Sequence, residues 1–152
     1  MATSPAANPN QPLVNAWLVQ MIGTVVLAGA VLMFFKSGVM PKAPAAEGGI
    51  NWPLYALYAA TAAIIPAMLY LRNFSHVLHV DRAAMQANGG VPDPAIRPVL
   101  MRALRVGGAL SELPQAFGVL HLILGGETRW FLGATVVTIA LRLSYRPFER
   151  KK

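Results

Sequence analysis

The chain has 152 residues, of which 55% are apolar and only 12% charged; its formal net charge is +7 and it contains no cysteine. Soluble domains carry about 25% charged residues, so this composition excludes an ordinary soluble globule and indicates an integral membrane protein. The missing cysteine excludes disulfides, thiolate metal centres and cysteine nucleophiles. The basic residues are segregated between apolar runs, which makes the positive charge a topology signal rather than a nucleic-acid footprint.

Residues 1–12 hold Pro5, Pro9 and Pro12 and no charged side chain, and they are expected to form a short disordered tail. The apolar run 13–35 is too long for a signal-peptide core and lacks a basic leader, so it predicts a first transmembrane helix ended by Lys36. Trp17 near its start is expected at headgroup level, as an aromatic-belt residue. Gly38, Pro41, Pro44 and the Gly48–Gly49 pair predict an irregular surface connection over 36–49.

Asn51-Trp52-Pro53 opens a second span, predicted over 51–71, with proline in a first turn where its missing N–H costs nothing. Ala56, Ala60, Ala63 and Ala67 recur at four, three and four and predict one close-packing face. Pro66 is expected to kink this helix, because its ring crowds the carbonyl one turn earlier. Trp52 is a second belt candidate.

From Arg72 the composition turns polar, and 72–105 reads as the longest extramembrane segment. Asp81 to Gly90 predicts a short surface helix, with Asp81 as N-cap and Gly89 or Gly90 as terminator. Asp93-Pro94 is expected to cap the lead-in of a third span over 104–126. Within that span Gly107, Ser111, Pro114, Gly118, His121 and Gly125 recur at helical spacing. A stripe of mostly small residues admits another helix closely, and the alanine row of the second span is its expected partner. Residues 125–129 read as a tight turn, and 129–144 as a shorter fourth span with Trp130 and Tyr145 as belt residues at opposite ends. Residues 146–152 close the chain as a basic tail.

Five basic residues fall in 72–105 and five from Arg142 onward, while the other two loops share Lys36, Lys42 and Arg129. The resulting expectation is an all-α integral membrane protein. Four helices over 13–145 form two hairpins, with both termini and the central connection cytoplasmic, in a bacterial-type inner membrane.

Glu112 is the one acid inside an apolar span, about 10 Å below the Arg105 end at 1.5 Å per residue. A carboxyl at that depth is the default functional candidate. Gln115, one turn on, is expected to hydrogen-bond it. Two readings follow: a protonated acid that joins helices, or a reversible proton or cation site. The histidines do not make one site, since His121 lies about 24 Å from Arg105 along the third helix whereas His76 and His79 leave the second on the opposite side. His76 and His79 could pair on a metal, but histidines at an interface more often meet headgroups, and His121 reads as an interhelical hydrogen-bonder. No metal and no cofactor are expected.

The segment Gly108-Ala-Leu-Ser-Glu112-Leu-Pro-Gln-Ala-Phe117-Gly118-Val-Leu is similar to the carboxylate helix of the rotary ATP synthase subunit c family. The resemblance implies that Glu112 takes up and releases a transported proton, with Phe117 and Gly118 at the aromatic-glycine positions beyond it. The chain lacks the nucleotide, nucleophile and metal motifs of an enzyme. The leading expectation is therefore a helical subunit or accessory component of a larger membrane complex, whose partners are the lipid bilayer and other membrane subunits or further copies, and no nucleic acid. The alternatives are a subunit-c-like proton carrier using Glu112, and a haem- or quinone-associated redox subunit using His76, His79 or His121.

Overall fold

The structure, a computed structural model, describes residues 8–39 and 49–148; positions 40–48, which carry most of the first connection, lie outside the described residues, as do 1–7 and 149–152. Five α-helices follow in order: α1 (Gln11–Lys36), α2 (Trp52–Ala62), α3 (Ile64–Ala87), α4 (Ile96–Ile123) and α5 (Thr128–Ser144). No strand occurs among the described residues. Two rods, Gln11–Lys36 and Trp52–Ala87, are long and apolar enough to cross a membrane.

α1 begins two residues earlier than the hydropathy suggests, because Asn8 nucleates a turn: its backbone carbonyl accepts the Gln11 N–H and its side chain the Asn10 N–H. α2 starts where expected, with the Asn51 side chain accepting the Leu54 N–H at 3.1 Å. The rod is interrupted at Ala63, one turn before Pro66. As the third residue of α3, Pro66 occupies a position whose N–H has no intrahelical acceptor, so the break accommodates it without a lost bond.

The expected stop near Leu71 does not occur. α3 runs unbroken to Ala87, and Asp81 is not an N-cap but a buried residue in its interior. The polar residues that lower the hydropathy here, Arg72, His76 and His79, stand on the exposed side, while Phe74, Val77 and Leu78 pack inward. Burial of that apolar stripe, not hydropathy averaged around the helix, decides where the helix stops. Gly89 (φ +63°) and Gly90 (φ +91°) then end it as expected. Asp93 turns the chain, its Oδ1 accepting the Ala95 N–H, and α4 starts at Ile96, well before the predicted 104.

α4 is the central helix and packs against every other segment. α1 lies on α4 and α5 through a seam of Leu13, Trp17, Gln20, Thr24, Ala28 and Val31, and it forms no substantial contact with α2. The expected α1–α2 hairpin is thus corrected: Gln20 and Thr24 are polar, and their partners are on α4. One apolar cluster gathers Leu13, Trp17, Phe74, Leu100, Leu104 and Tyr145, and a second gathers Ala28, Val31, Leu122 and Phe131 at the other end. The tail does not leave the fold at 146 either. Pro147 is buried and Phe148 meets Trp17 edge-on, with ring centroids 5.3 Å apart.

Candidate functional site

At the junction of α1, α4 and α5, Glu112 Oε1 forms an ion pair with Arg142 Nη2 at 2.5 Å and lies 3.4 Å from the donating Thr24 hydroxyl. The helical register explains the meeting. Tyr145 rests against Gly107, Gln115 donates its backbone N–H to Thr138 Oγ1 at 3.2 Å, and Phe131 touches Gly118, which is an antiparallel α4–α5 pairing that places Arg142 level with Ser111 and Glu112. The two side chains differ in exposure: that of Arg142 is 4% exposed, that of Glu112 42%. The site is therefore a buried guanidinium whose counter-ion reaches the outer surface of the bundle.

Gln115 does not bind the acid. Its Nε2 donates to the Thr24 carbonyl at 3.2 Å, so it bridges α4 to α1 rather than to its neighbour one turn back. Arg142, assigned by its sequence position to the basic tail, is instead the partner of Glu112. The signal was available: Phe131, Thr135, Thr138 and Arg142 recur at four, three and four, and all are buried.

The small-residue stripe divides among several neighbours. Gly107 faces the Tyr145 ring, Gly118 faces Ala134 and Phe131 at 3.0 and 3.3 Å from the place a Cβ would take, and Ser111 donates to the Gly107 carbonyl at 2.7 Å. Gly125 is not a packing residue; it is exposed, has φ +88° and belongs to the turn that ends α4. Gly126 is the crowded one, since a Cβ there would strike the His121 ring. Ala56, Ala60, Ala63 and Ala67 are all buried. α2 packs chiefly on α4, whereas the Ala67 carbonyl accepts the Tyr145 hydroxyl.

Of the four belt candidates, Trp52 and Trp130 are half exposed, but Trp17 and Tyr145 are core residues. Trp17 donates its indole N–H to the Arg142 carbonyl at 2.9 Å. This carbonyl lies in the last turn of α5, where helices leave acceptors open, and the tyrosine hydroxyl is likewise satisfied inside, so neither ring needs the membrane interface.

His121 joins the far ends of α4 and α2. The Glu127 N–H donates to its Nε2 at 3.0 Å, which leaves Nδ1–H to donate to the Pro53 carbonyl at 2.9 Å. Both nitrogens of the neutral ring are thereby used. His76 and His79 stand exposed on α3, roughly 34 Å along the rod from Pro53. Between Gln115 and His121 the α4–α5 seam is packed by Gly118 against Phe131 and Ala134, and the buried Thr135 donates its hydroxyl within α5 to the Phe131 carbonyl.

A second buried pair lies in the α3–α4 extension. Asp81 Oδ1 is 3.1 Å from Arg97 Nε, and Arg97 Nη2 donates to Asn10 Oδ1 at 2.8 Å, tying the start of α1 to the extension. Comparison with known proteins gave no matching family model, no matching curated protein and no matching solved structure.

Proposed function

We propose that the chain is a four-span integral membrane protein of a bacterial-type inner membrane, acting as a helical subunit or accessory component of a larger membrane assembly. The observation that carries this reading is the open side of Glu112, 42% of whose side chain is exposed on the outside of the bundle. If α1 and the α2–α3 rod cross the bilayer, α4 and α5, which share their core, lie at the same depth. α5 is about 26 Å long, enough for a short span. A carboxylate facing hydrocarbon costs a few kcal/mol, and the Arg142 pair neutralises its charge without covering its outer side. A helix from another subunit supplies that cover. Ala109 and Ala116, both exposed and about one turn to either side, leave room for it to approach.

Both termini and the α3–α4 turn are assigned to the cytoplasm. Removing Arg142 from the tail count still leaves Arg146, Arg150, Lys151 and Lys152 there, and Arg72, Arg82, Arg97, Arg102 and Arg105 on the extension, against three basic residues on the other side. Reporter fusions after Lys152 and within residues 38–48 should report opposite sides; the same side from both rejects four spans.

A second reading is proton transfer at Glu112, as the subunit c resemblance implies. It draws on the same exposed carboxyl, and it is weakened by the partner within the chain and by the close packing between Gln115 and His121. Native mass in mild detergent separates the two: unlike subunits carried through purification support the first reading, a homo-oligomeric ring the second. A monodisperse monomer from membranes solubilised under several mild conditions counts against both.

A further inference from the structure

α2 and α5 both pack on α4 but barely touch one another, and the gap between them is a groove of about 280 Å³. Leu57, Thr61 and Ile64 line one wall, Trp130, Gly133 and Val137 the other, and Pro114 of α4 forms the floor. Each wall runs about 10 Å along its helix, from Leu57 to Ile64 and from Trp130 to Val137. Small residues keep it open: a Cβ on Gly133 would meet nothing within 4 Å. The one hydroxyl among the lining residues, that of Thr61, donates to the Leu57 carbonyl at 3.0 Å. The walls therefore offer nothing to a buried polar group and suit an apolar occupant.

We infer that this groove holds one acyl chain of a membrane phospholipid, an inference that rests on the membrane placement proposed above. Volume selects the occupant. One turn of helix with its side chains, about 10 Å across and 5.4 Å high, takes roughly 400 Å³, so a partner helix cannot seat in the groove, whereas a single extended hydrocarbon chain can. Left unfilled, both walls would forfeit their dispersion contacts. Charge selects the lipid. Trp130 stands half exposed at the end of the groove nearest the α4–α5 turn, and the Arg129 guanidinium lies 5.5 Å from its ring centroid, in an exposed pair with Glu127. A phosphate beside Arg129 gains charge-assisted hydrogen bonds while its chain runs past Trp130 toward Val137. A bare hydrocarbon has no such anchor.

The test titrates the full-length protein carrying Trp52→Phe, in mild detergent, with phosphatidylethanolamine brominated in its acyl chains. That substitution removes the other exposed indole, and Trp17 is buried in the core, so quenching reads Trp130. The expected result is a loss of fluorescence that saturates at a single lipid per chain and is reversed by excess unbrominated lipid. Adding Gly133→Leu, whose side chain enters the groove, should abolish the saturable part, and Arg129→Gln should raise the lipid concentration at half-saturation several-fold. Quenching that only rises in proportion to lipid marks ordinary boundary lipid and overturns the proposal, as does an undiminished saturable phase in folded Gly133→Leu. An unchanged midpoint in Arg129→Gln overturns the choice of a phospholipid. If Gly133→Leu does not fold, the Trp52→Phe titration decides by itself. The titration is made on solubilised protein, so its failure is distinct from failure of the reporter fusions that test the four spans.

Discussion

The Glu112–Arg142 and Asp81–Arg97 pairs are built from the same two residue types, yet they are desolvated in opposite senses. At the α4–α5 junction the arginine is enclosed, at 4% side-chain exposure, and the acid is open at 42%. In the α3–α4 extension the acid is enclosed at 3% and the arginine is the more open at 17%. The energetic weight of a buried pair lies with whichever charge is enclosed and cannot turn away once its partner is removed. The two sites should therefore answer opposite mutations, although each looks like one acid beside one arginine.

The largest expected effect is Glu112→Leu, which strands the enclosed guanidinium and should cost about 3–5 kcal/mol, read as loss of folded protein on thermal or denaturant titration in detergent. Arg142→Met should cost less, because the remaining acid stands at the outer surface of the bundle, 42% exposed, and its side chain can turn away, and the double variant Glu112→Leu with Arg142→Met should recover most of the loss. A double variant no better than Glu112→Leu alone breaks the comparison at its first term.

The extension should reverse that order. Arg97→Met leaves Asp81 enclosed and also releases Asn10, and it should cost about 2–3 kcal/mol, below the full cost of breaking a wholly buried pair because water can enter at this end. Asp81→Asn, which keeps a hydrogen-bonding group of the same shape, should be the milder change. Equal losses from the two single variants would show that exposure does not set the hierarchy.

Packing sharpens the contrast at smaller magnitude. Gly107→Ala drives a Cβ into the Tyr145 ring, which is buried and anchored by its hydroxyl, and about 1–3 kcal/mol of overpacking is expected. Gly108→Ala meets only the end of the Gln20 side chain, which can rotate away, so it should fall within the error of wild type. Unfolding curves of the two neighbours, measured side by side, test whether a rigid or a mobile opposing group decides the outcome. Tyr145→Phe, which removes the hydroxyl bond to the Ala67 carbonyl, should cost about 1 kcal/mol with assembly unchanged.

Where hydropathy changes sharply, the fold was legible. α5 begins at Thr128 and ends at Ser144, within a residue of the boundaries that the Gly125–Gly126 turn and the following apolar run suggest. The close-packing alanine row and the role of His121 as an interhelical hydrogen-bonder could also be read from spacing and from the lack of a second histidine at that depth. The continuation of α3 was hidden because its exposed side is polar, and an average around the helix conceals a buried stripe. Arg142 was hidden for a different reason: counting charges near a chain end treats them as solvated, and only the α4–α5 register shows that this one turns inward to meet Glu112. Trp17 and Tyr145 were misread because ring type and position along a span do not say which way the ring faces.

The indole of Trp17 holds the carbonyl of Arg142, so a residue in the first helix is fastened to one in the last. During biosynthesis this has a temporal consequence. α1 emerges first, and its seam, with Gln20 and Thr24 along it, has no counterpart on α2. The docking surface of α1 comes into being only when α4 and α5 have been made, 88 residues later for the Thr24–Glu112 contact and 125 for Trp17–Arg142. On the membrane placement proposed above, the newborn helix has until then to be sheltered by the insertion machinery or stay loosely placed in lipid. Nascent chains arrested before Thr128 should therefore leave α1 open to a photocrosslinker at Thr24 that reacts with lipid or translocon, and release of the complete chain should extinguish that reaction.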